Sequence, residues 1–205
     1  MTDALLVVID AQRGFVDPEG SLARAFGVDE IVHSATALTR LRTHVSRRDR
    51  GFATVFVRSE YRPAQFTSGR FDDPMAHICV PGYNIDCEWA PGLDVSGAHA
   101  VITKRDVDAA TAPVYRDLMA QAVSRGIRHV VLAGFQFTTC VRASALTTRD
   151  MLADSGVQVS VAVHLTGARA SSYHATAGGV SRVEATKREL AAGGVTLLDT
   201  LIDAA

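Results

Sequence analysis

The sequence predicts a doubly wound α/β fold, with a six-stranded parallel sheet and helices on both faces. Two observations point there. Short β-rich runs alternate with helical patterns along the chain, and alternating elements join by right-handed crossovers that leave the strands parallel. The strand runs are also apolar throughout rather than at every second residue, which marks strands covered on both faces. No repeat, linker or low-complexity tract divides the 205 residues, so a single domain over 1–205 is expected.

The elements follow in order. "ALLVVID" is a continuous apolar run and forms the first strand. Ile31, Leu38, Leu41 and Val45 recur at helical spacing until the charged "SRRDR" and Gly51 end the helix. "FATVFVR" is the second strand and "HAVITK" the third. Val114, Leu118 and Ala122 mark a helix that closes at Gly126. "RHVVLAG" is the fourth strand, with a helix expected from about Thr139, and "VQVSVAV" is the fifth. A helix from Ser172 to Ala192 leads through "GG" to a last strand, "VTLLD". The stretch from Ser59 to Gly97 breaks this rhythm. It is rich in Gly, Pro and aromatics, and a loop of that length in a compact domain is expected to act as a lid or substrate wall.

Bulk properties narrow the function. Apolar residues make up 47% of the chain, which excludes a disordered protein. A formal net charge of -1 gives no electrostatic reason to expect nucleic acid or an anionic membrane as partner. No apolar run approaches the roughly 20 residues that span a bilayer. "MTDALLVVIDAQ" has no basic region ahead of a long apolar stretch, so it does not read as a secretory signal. A cytoplasmic protein with free thiols at positions 79, 87 and 140 is expected.

Three reactive side chains stand at predicted strand ends, the edge where open parallel sheets bind ligands. Asp10 closes the first strand, Lys104 the third, and Cys140 follows the fourth. A buried carboxylate needs a partner, and Lys104 can supply it. Cys140, near a helix start and a lysine, is expected to have a stabilised thiolate. Together they supply a proton acceptor, a cation and a nucleophile suited to attack on a carbonyl. Taken singly, each has a bland reading: a capping aspartate, a solvated lysine, a packing cysteine.

Three stretches in this order, "LLVVIDAQRGFVD", "VITKRDVDA" and "VVLAGFQFTTCVRASA", make the chain resemble the isochorismatase-like cysteine hydrolases, which include nicotinamidases and N-carbamoylsarcosine amidase. The resemblance covers nearly the whole chain. It implies a Rossmann-like sheet of strand order 3-2-1-4-5-6, and a catalytic set of Asp10, Lys104 and Cys140. It also implies a cis bond between Phe135 and Gln136, an oxyanion hole from the backbone N–H groups of Gln136 and Cys140, and an assembly of identical subunits. Phe15 falls where relatives place an aromatic over the substrate. Phe135 and Trp89 are further candidate walls, as are Tyr83 and Phe66. The implied activity is hydrolysis of a C–N bond in a small amide, carbamoyl or ureido substrate through a thioester. The alternatives are vinyl-ether hydrolysis of the isochorismatase kind, in which relatives often carry glycine at the nucleophile position, and a non-catalytic binding module.

Departures from the family pattern shape the rest. Nicotinamidases carry an Asp-x-His…His metal site after the second strand, whereas "RSEYRPAQ" places Ser59, Tyr61 and Gln65 there, so no metal is expected. Relatives reach the glycine before the fifth strand about a helical turn sooner than Gly156, so "LTTRDMLADSG" reads as an insertion. The usual aspartate after the fifth strand is replaced near His164. His77, Cys79 and Cys87 match no regular ligand spacing, and His174 reads as structural. Phosphatase chemistry would need an arginine where Leu146 stands. No G-x-G-x-x-G follows the first strand, so no nucleotide cofactor is expected.

Overall fold

The computed structural model describes residues 3–47, 51–67, 72–175 and 179–200. At its centre is β1 (Ala4–Ile9), a strand without one exposed side chain. It can be apolar throughout because β2 (Phe52–Ser59) and β4 (His129–Phe135) pair along its two edges, while further elements cover both faces. With β3 (Ala100–Lys104), β5 (Gln158–Gly167) and β6 (Thr196–Leu198) the sheet has the order 3-2-1-4-5-6, every pair parallel.

Successive side chains of a strand point to opposite faces, and here they feed two cores. Leu5, Val7 and Ile9 pack with α4 (Pro113–Ser124), α5 (Arg142–Met151) and α6 (Arg182–Ala192). Leu6 and Val8 pack with α3 (Val32–Ser46), through Ala37, Leu38, Leu41 and Val45. On that second face α3 is the one long helix. The remaining cover comes from the irregular stretch after β2, whose Ile78, Cys79, Ala90 and Leu93 are buried there. Buried Asp86 ties this stretch down, accepting from the N–H groups of Ser21 (3.0 Å) and Cys79 (3.3 Å). The excursion therefore does the covering work of a missing crossover helix.

Some boundaries differ from the sequence expectation. The last helix starts at Arg182, not Ser172, because the Ser181 hydroxyl caps it by accepting from Glu184 N–H at 3.1 Å. Residues 170–173 form a separate 3₁₀ turn. β5 runs on to Gly167, four residues beyond its apolar run. Two short helices, α1 (Arg13–Val16) and α2 (Ser21–Phe26), follow β1 without a sequence signal strong enough to mark them. Among the described residues no helix is long and apolar enough to cross a membrane.

The strand order reverses direction at β1 and β4, the point where open α/β sheets bind ligands. There Gly134 has φ 110°, and a Cβ on it would lie 2.0 Å from the carbonyl oxygen of Ile9. Only glycine allows β4 to come that close at the sheet's carboxyl edge. Gly134→Ala is accordingly expected to cost about 3 kcal/mol or more, since it combines a backbone clash with a forbidden φ. A urea melt with unchanged midpoint would show that the two strands separate freely here.

Candidate active site

The three strand ends converge. Asp10 follows β1 directly and takes a left-handed conformation, φ 52°, which aspartate tolerates better than most residues. Its N–H still donates to Val57 O at 2.8 Å, extending the ladder one step past the strand. Lys104 ends β3 in register with Ser59, which ends β2. Cys140 sits in a π-helical turn, Phe137–Val141, between β4 and α5, and the Phe135–Gln136 peptide bond before it is cis. Asp10, Ser59 and Lys104 are fully buried, and Cys140 is 4% exposed.

Counting protons orders the cluster. Lys104 Nζ has three, and three acceptors meet them: Ser59 Oγ at 2.7 Å, Tyr61 OH at 3.0 Å and Asp106 O at 2.9 Å. Asp10 Oδ2 lies 2.9 Å from the same nitrogen as a fourth acceptor for its three protons, and the Asp10 carboxylate is hydrogen-bonded to the ammonium and to the Cys140 thiol. Asp10 Oδ1 accepts from Ser59 Oγ at 2.8 Å. Gln12 fixes Ser59 by both amide atoms, accepting from its N–H at 2.6 Å and donating to its carbonyl at 3.0 Å. The result is a bridged ion pair beside the thiol.

Burial alone would lower the Lys104 pKa. That is the largest single influence, but the Asp10 and Cys140 charges and the hydrogen bond to Asp10 together outweigh it, and the group is raised, so it stays an ammonium. Burial, then the Asp10 and Cys140 charges, push the Tyr61 phenol well above its ordinary range, which leaves it a neutral hydroxyl. Tyr61 OH lies 3.7 Å from Cys140 Sγ. The thiol itself departs from the sequence expectation of a stabilised thiolate. Burial pushes it up to about 11, the Asp10 charge adds to the rise, and the pull of Lys104 does not offset them. Resting Cys140 is a neutral thiol.

Cys140 and Tyr61 line a pocket of about 220 Å³. Phe15, Leu22, Phe66 and Ile78 supply apolar wall, and Gln136 lies beside the cysteine. The charged groups among its lining residues are both arginines, Arg169 and Arg182. Arg169 donates from Nε to Glu30 at 2.9 Å, and its guanidinium carbon lies 3.6 Å from the Phe26 ring centroid. Of the five walls expected from sequence, Phe15 and Phe66 line the pocket, and Trp89, Phe135 and Tyr83 do not. Trp89 packs against Phe56 with ring centroids 5.6 Å apart, and Phe135 is fully buried among core side chains. An apolar residue at the end of a strand fits the core as well as a pocket, and here the core takes Phe135. Tyr83 stacks on His77 at 3.6 Å, away from the pocket, while Phe66 does line it. His164 and His174 lie outside the lining.

The profile of the Isochorismatase domain matches residues 4–185. The chain belongs to this family. No curated protein matches it, but many solved structures share its fold. A protein of L. infantum solved in complex with nicotinate is 22% identical with a TM-score of 0.72, over 96% of this chain and 92% of that one. A pyrazinamidase of Pyrococcus horikoshii in complex with zinc is 18% identical with a TM-score of 0.68, over 97% and 99%. N-carbamoylsarcosine amidase from Thermoplasma acidophilum is 21% identical with a TM-score of 0.63, over 97% and 98%.

Within this isochorismatase fold the residues after β2 do not fit a metal ion. Ser59 and Tyr61 spend their oxygens on the Lys104 ammonium, and Gln65 bonds the backbone of Arg62 and Arg105. Among the described residues no three of His, Cys, Asp or Glu converge. Cys79 Sγ instead lies 3.5 Å from Asp86 O, to which it donates. Four residues around the site were not picked out as functional from sequence: Ser59, Tyr61, Arg169 and Arg182. Ser59 was legible in principle, since it ends the strand between those that carry Asp10 and Lys104. Arg169 follows the true end of β5 and obeys the same strand-end rule as the others.

Two outcomes follow from this geometry. Lys104→Met should destabilise the protein by about 3–5 kcal/mol, because it strands a buried carboxylate, and adding Asp10→Asn should recover much of that loss. Additive losses in denaturant melts would show the pair to be uncoupled. Iodoacetamide labelling of Cys140 in the free protein, followed peptide by peptide, should climb with pH until about 11. A plateau below pH 8 would mean a preformed thiolate.

Proposed function

We propose that this chain is a metal-independent cysteine hydrolase that cleaves the C–N bond of a small amide, carbamoyl or ureido compound through a thioester on Cys140. One observation carries the reading: a pocket-lining thiol is hydrogen-bonded to the carboxylate of a buried Asp10–Lys104 ion pair, which can take its proton. The Cys140 proton passes to Asp10 as sulfur attacks the carbonyl carbon, forming the S–C bond and moving the carbonyl electron pair onto oxygen. Backbone N–H groups of Gln136 and Cys140 hold that oxyanion. The oxygen pair returns, the C–N bond breaks, and the amine leaves with the proton from Asp10. Water then gives Asp10 a proton and attacks the thioester, and the departing sulfur recovers that proton. Lys104 stays charged throughout and steadies each state in which Asp10 or sulfur is anionic. The two arginines in a mostly apolar pocket favour a substrate that carries a carboxylate or a similar acceptor group.

The test is release of ammonia or amine across a panel of small amides, carbamoyl and ureido acids. Cys140→Ala is expected to lose turnover by about 10³-fold or more with its melt nearly unchanged, since no other group here forms the thioester. Near-native turnover by that variant, or pyruvate release from isochorismate in place of ammonia, would defeat the proposal.

A further inference from the structure

The mechanism above leaves one buried polar group of the cluster without a task. Tyr61 OH touches Lys104 Nζ (3.0 Å), Ser59 Oγ (2.7 Å) and Cys140 Sγ (3.7 Å), and its residue also lines the pocket. Its single proton has few places to go. Lys104 has no lone pair and must donate to Tyr61, so the phenol proton points either to Ser59 Oγ or to sulfur. Ser59 in turn has one proton, and its two neighbours are Asp10 Oδ1 at 2.8 Å and Tyr61 OH. A carboxylate is the stronger acceptor, so Ser59 donates to Asp10.

We propose that Tyr61 is a further catalytic residue: its hydroxyl turns from Ser59 to donate a hydrogen bond to Cys140 sulfur once the thiol proton has moved to Asp10. This rests on the cysteine-nucleophile reading and adds to it the group that holds the thiolate. The move needs only rotation about the phenolic C–O bond; no covalent bond is made or broken. It is driven by acceptor strength, because a thiolate outcompetes a neutral hydroxyl that already accepts from an ammonium. Lys104 prepares Tyr61 for the task, since accepting from a cation polarises the hydroxyl and makes it a better donor. The ring is held for it as well, lying edge-on to Phe66 with centroids 4.6 Å apart. The charged and titratable groups facing this sulfur are Asp10 at the end of β1, Lys104 at the end of β3 and Tyr61 itself, with Arg169 and Arg182 elsewhere around the pocket.

The test needs no substrate. Tyr61→Phe keeps the ring and removes only the hydroxyl. Between pH 7 and pH 10, peptide-resolved alkylation of Cys140 by iodoacetamide should rise with pH in both proteins. The variant should run parallel and about tenfold slower, as expected when a charge-assisted donor is lost. A purely structural effect would go the other way, because deleting the hydroxyl opens the pocket and admits reagent faster. If Tyr61→Phe folds poorly, 3-fluorotyrosine at position 61 keeps the shape with a more acidic hydroxyl, and it should speed alkylation. Labelling of the variant at or above the wild-type rate overturns the role of Tyr61 alone. Wild-type Cys140 that stays inert at every pH overturns the nucleophile reading and this inference together.

Discussion

The site depends on an ion pair that has to cross a strand. Asp10 and Lys104 end β1 and β3, which are not neighbours; β2 lies between them, so their backbones stand roughly two strand spacings, about 10 Å, apart. Only a long side chain spans that gap, and Lys104 does so over the top of Ser59, the residue that ends the intervening strand. The serine hydroxyl is thereby enclosed between the two charges, accepting from one and donating to the other. Arginine would not substitute readily, since its planar fork cannot aim three separate donors at Ser59, Tyr61 and the Asp106 carbonyl. Burying both charges without exposure is costly, and the hydrogen bonds on every remaining proton of the ammonium are what make it tolerable.

This arrangement explains why the thiol rests neutral. A single cation next to Cys140 would favour a thiolate, but the cation here is already matched by Asp10, and the net field at sulfur is small. Burial then decides the outcome. A neutral thiol in a mostly apolar pocket is a poor target for oxidants and stray electrophiles. In the proposed mechanism, reactivity arises only when a carbonyl carbon is close enough for bond formation to accompany the proton's move to Asp10. In this picture the buried pair is a proton acceptor held in reserve rather than a device for keeping sulfur charged.

Much of this was legible in the sequence. Alternating apolar runs and helices reflect burial on both faces of a parallel sheet, and that burial is what the folded chain shows. The rule that ligands bind beyond strand ends located Asp10, Lys104 and Cys140, because a strand end needs no distance information to be found. The rest depended on distances. The charge state of Cys140 follows from how deeply it is buried and from how fully Asp10 cancels Lys104, neither of which a residue list contains. Arg169 was missed because β5 continues through "HLTG" after its apolar run ends, so its true end was placed four residues early. Trp89 in a long loop fits a substrate wall as well as an anchor, and contact with Phe56 settles it as an anchor.

The substitution of hydroxyls for metal ligands after β2 changes the electrostatics more than a loss of affinity would suggest. Tyr61 oxygen lies 3.0 Å from the Lys104 ammonium. A divalent ion held by that oxygen at about 2.1 Å would stand no more than about 5 Å from Nζ. At an effective dielectric constant of about 20, the repulsion is roughly 7 kcal/mol, and neither Ser59 nor Tyr61 brings a negative charge to offset it. Where carboxylate and imidazole ligands would create a second cation site beside Cys140, this chain sets two hydroxyls against its buried ammonium. In the role proposed for Tyr61, positive character reaches sulfur as a hydrogen bond, directional and short-ranged. In the proposed mechanism the carbonyl oxygen is left to backbone N–H groups instead. That proposed division separates the two tasks that a metal ion can combine, and it places the burden of substrate choice on the pocket walls and their arginines.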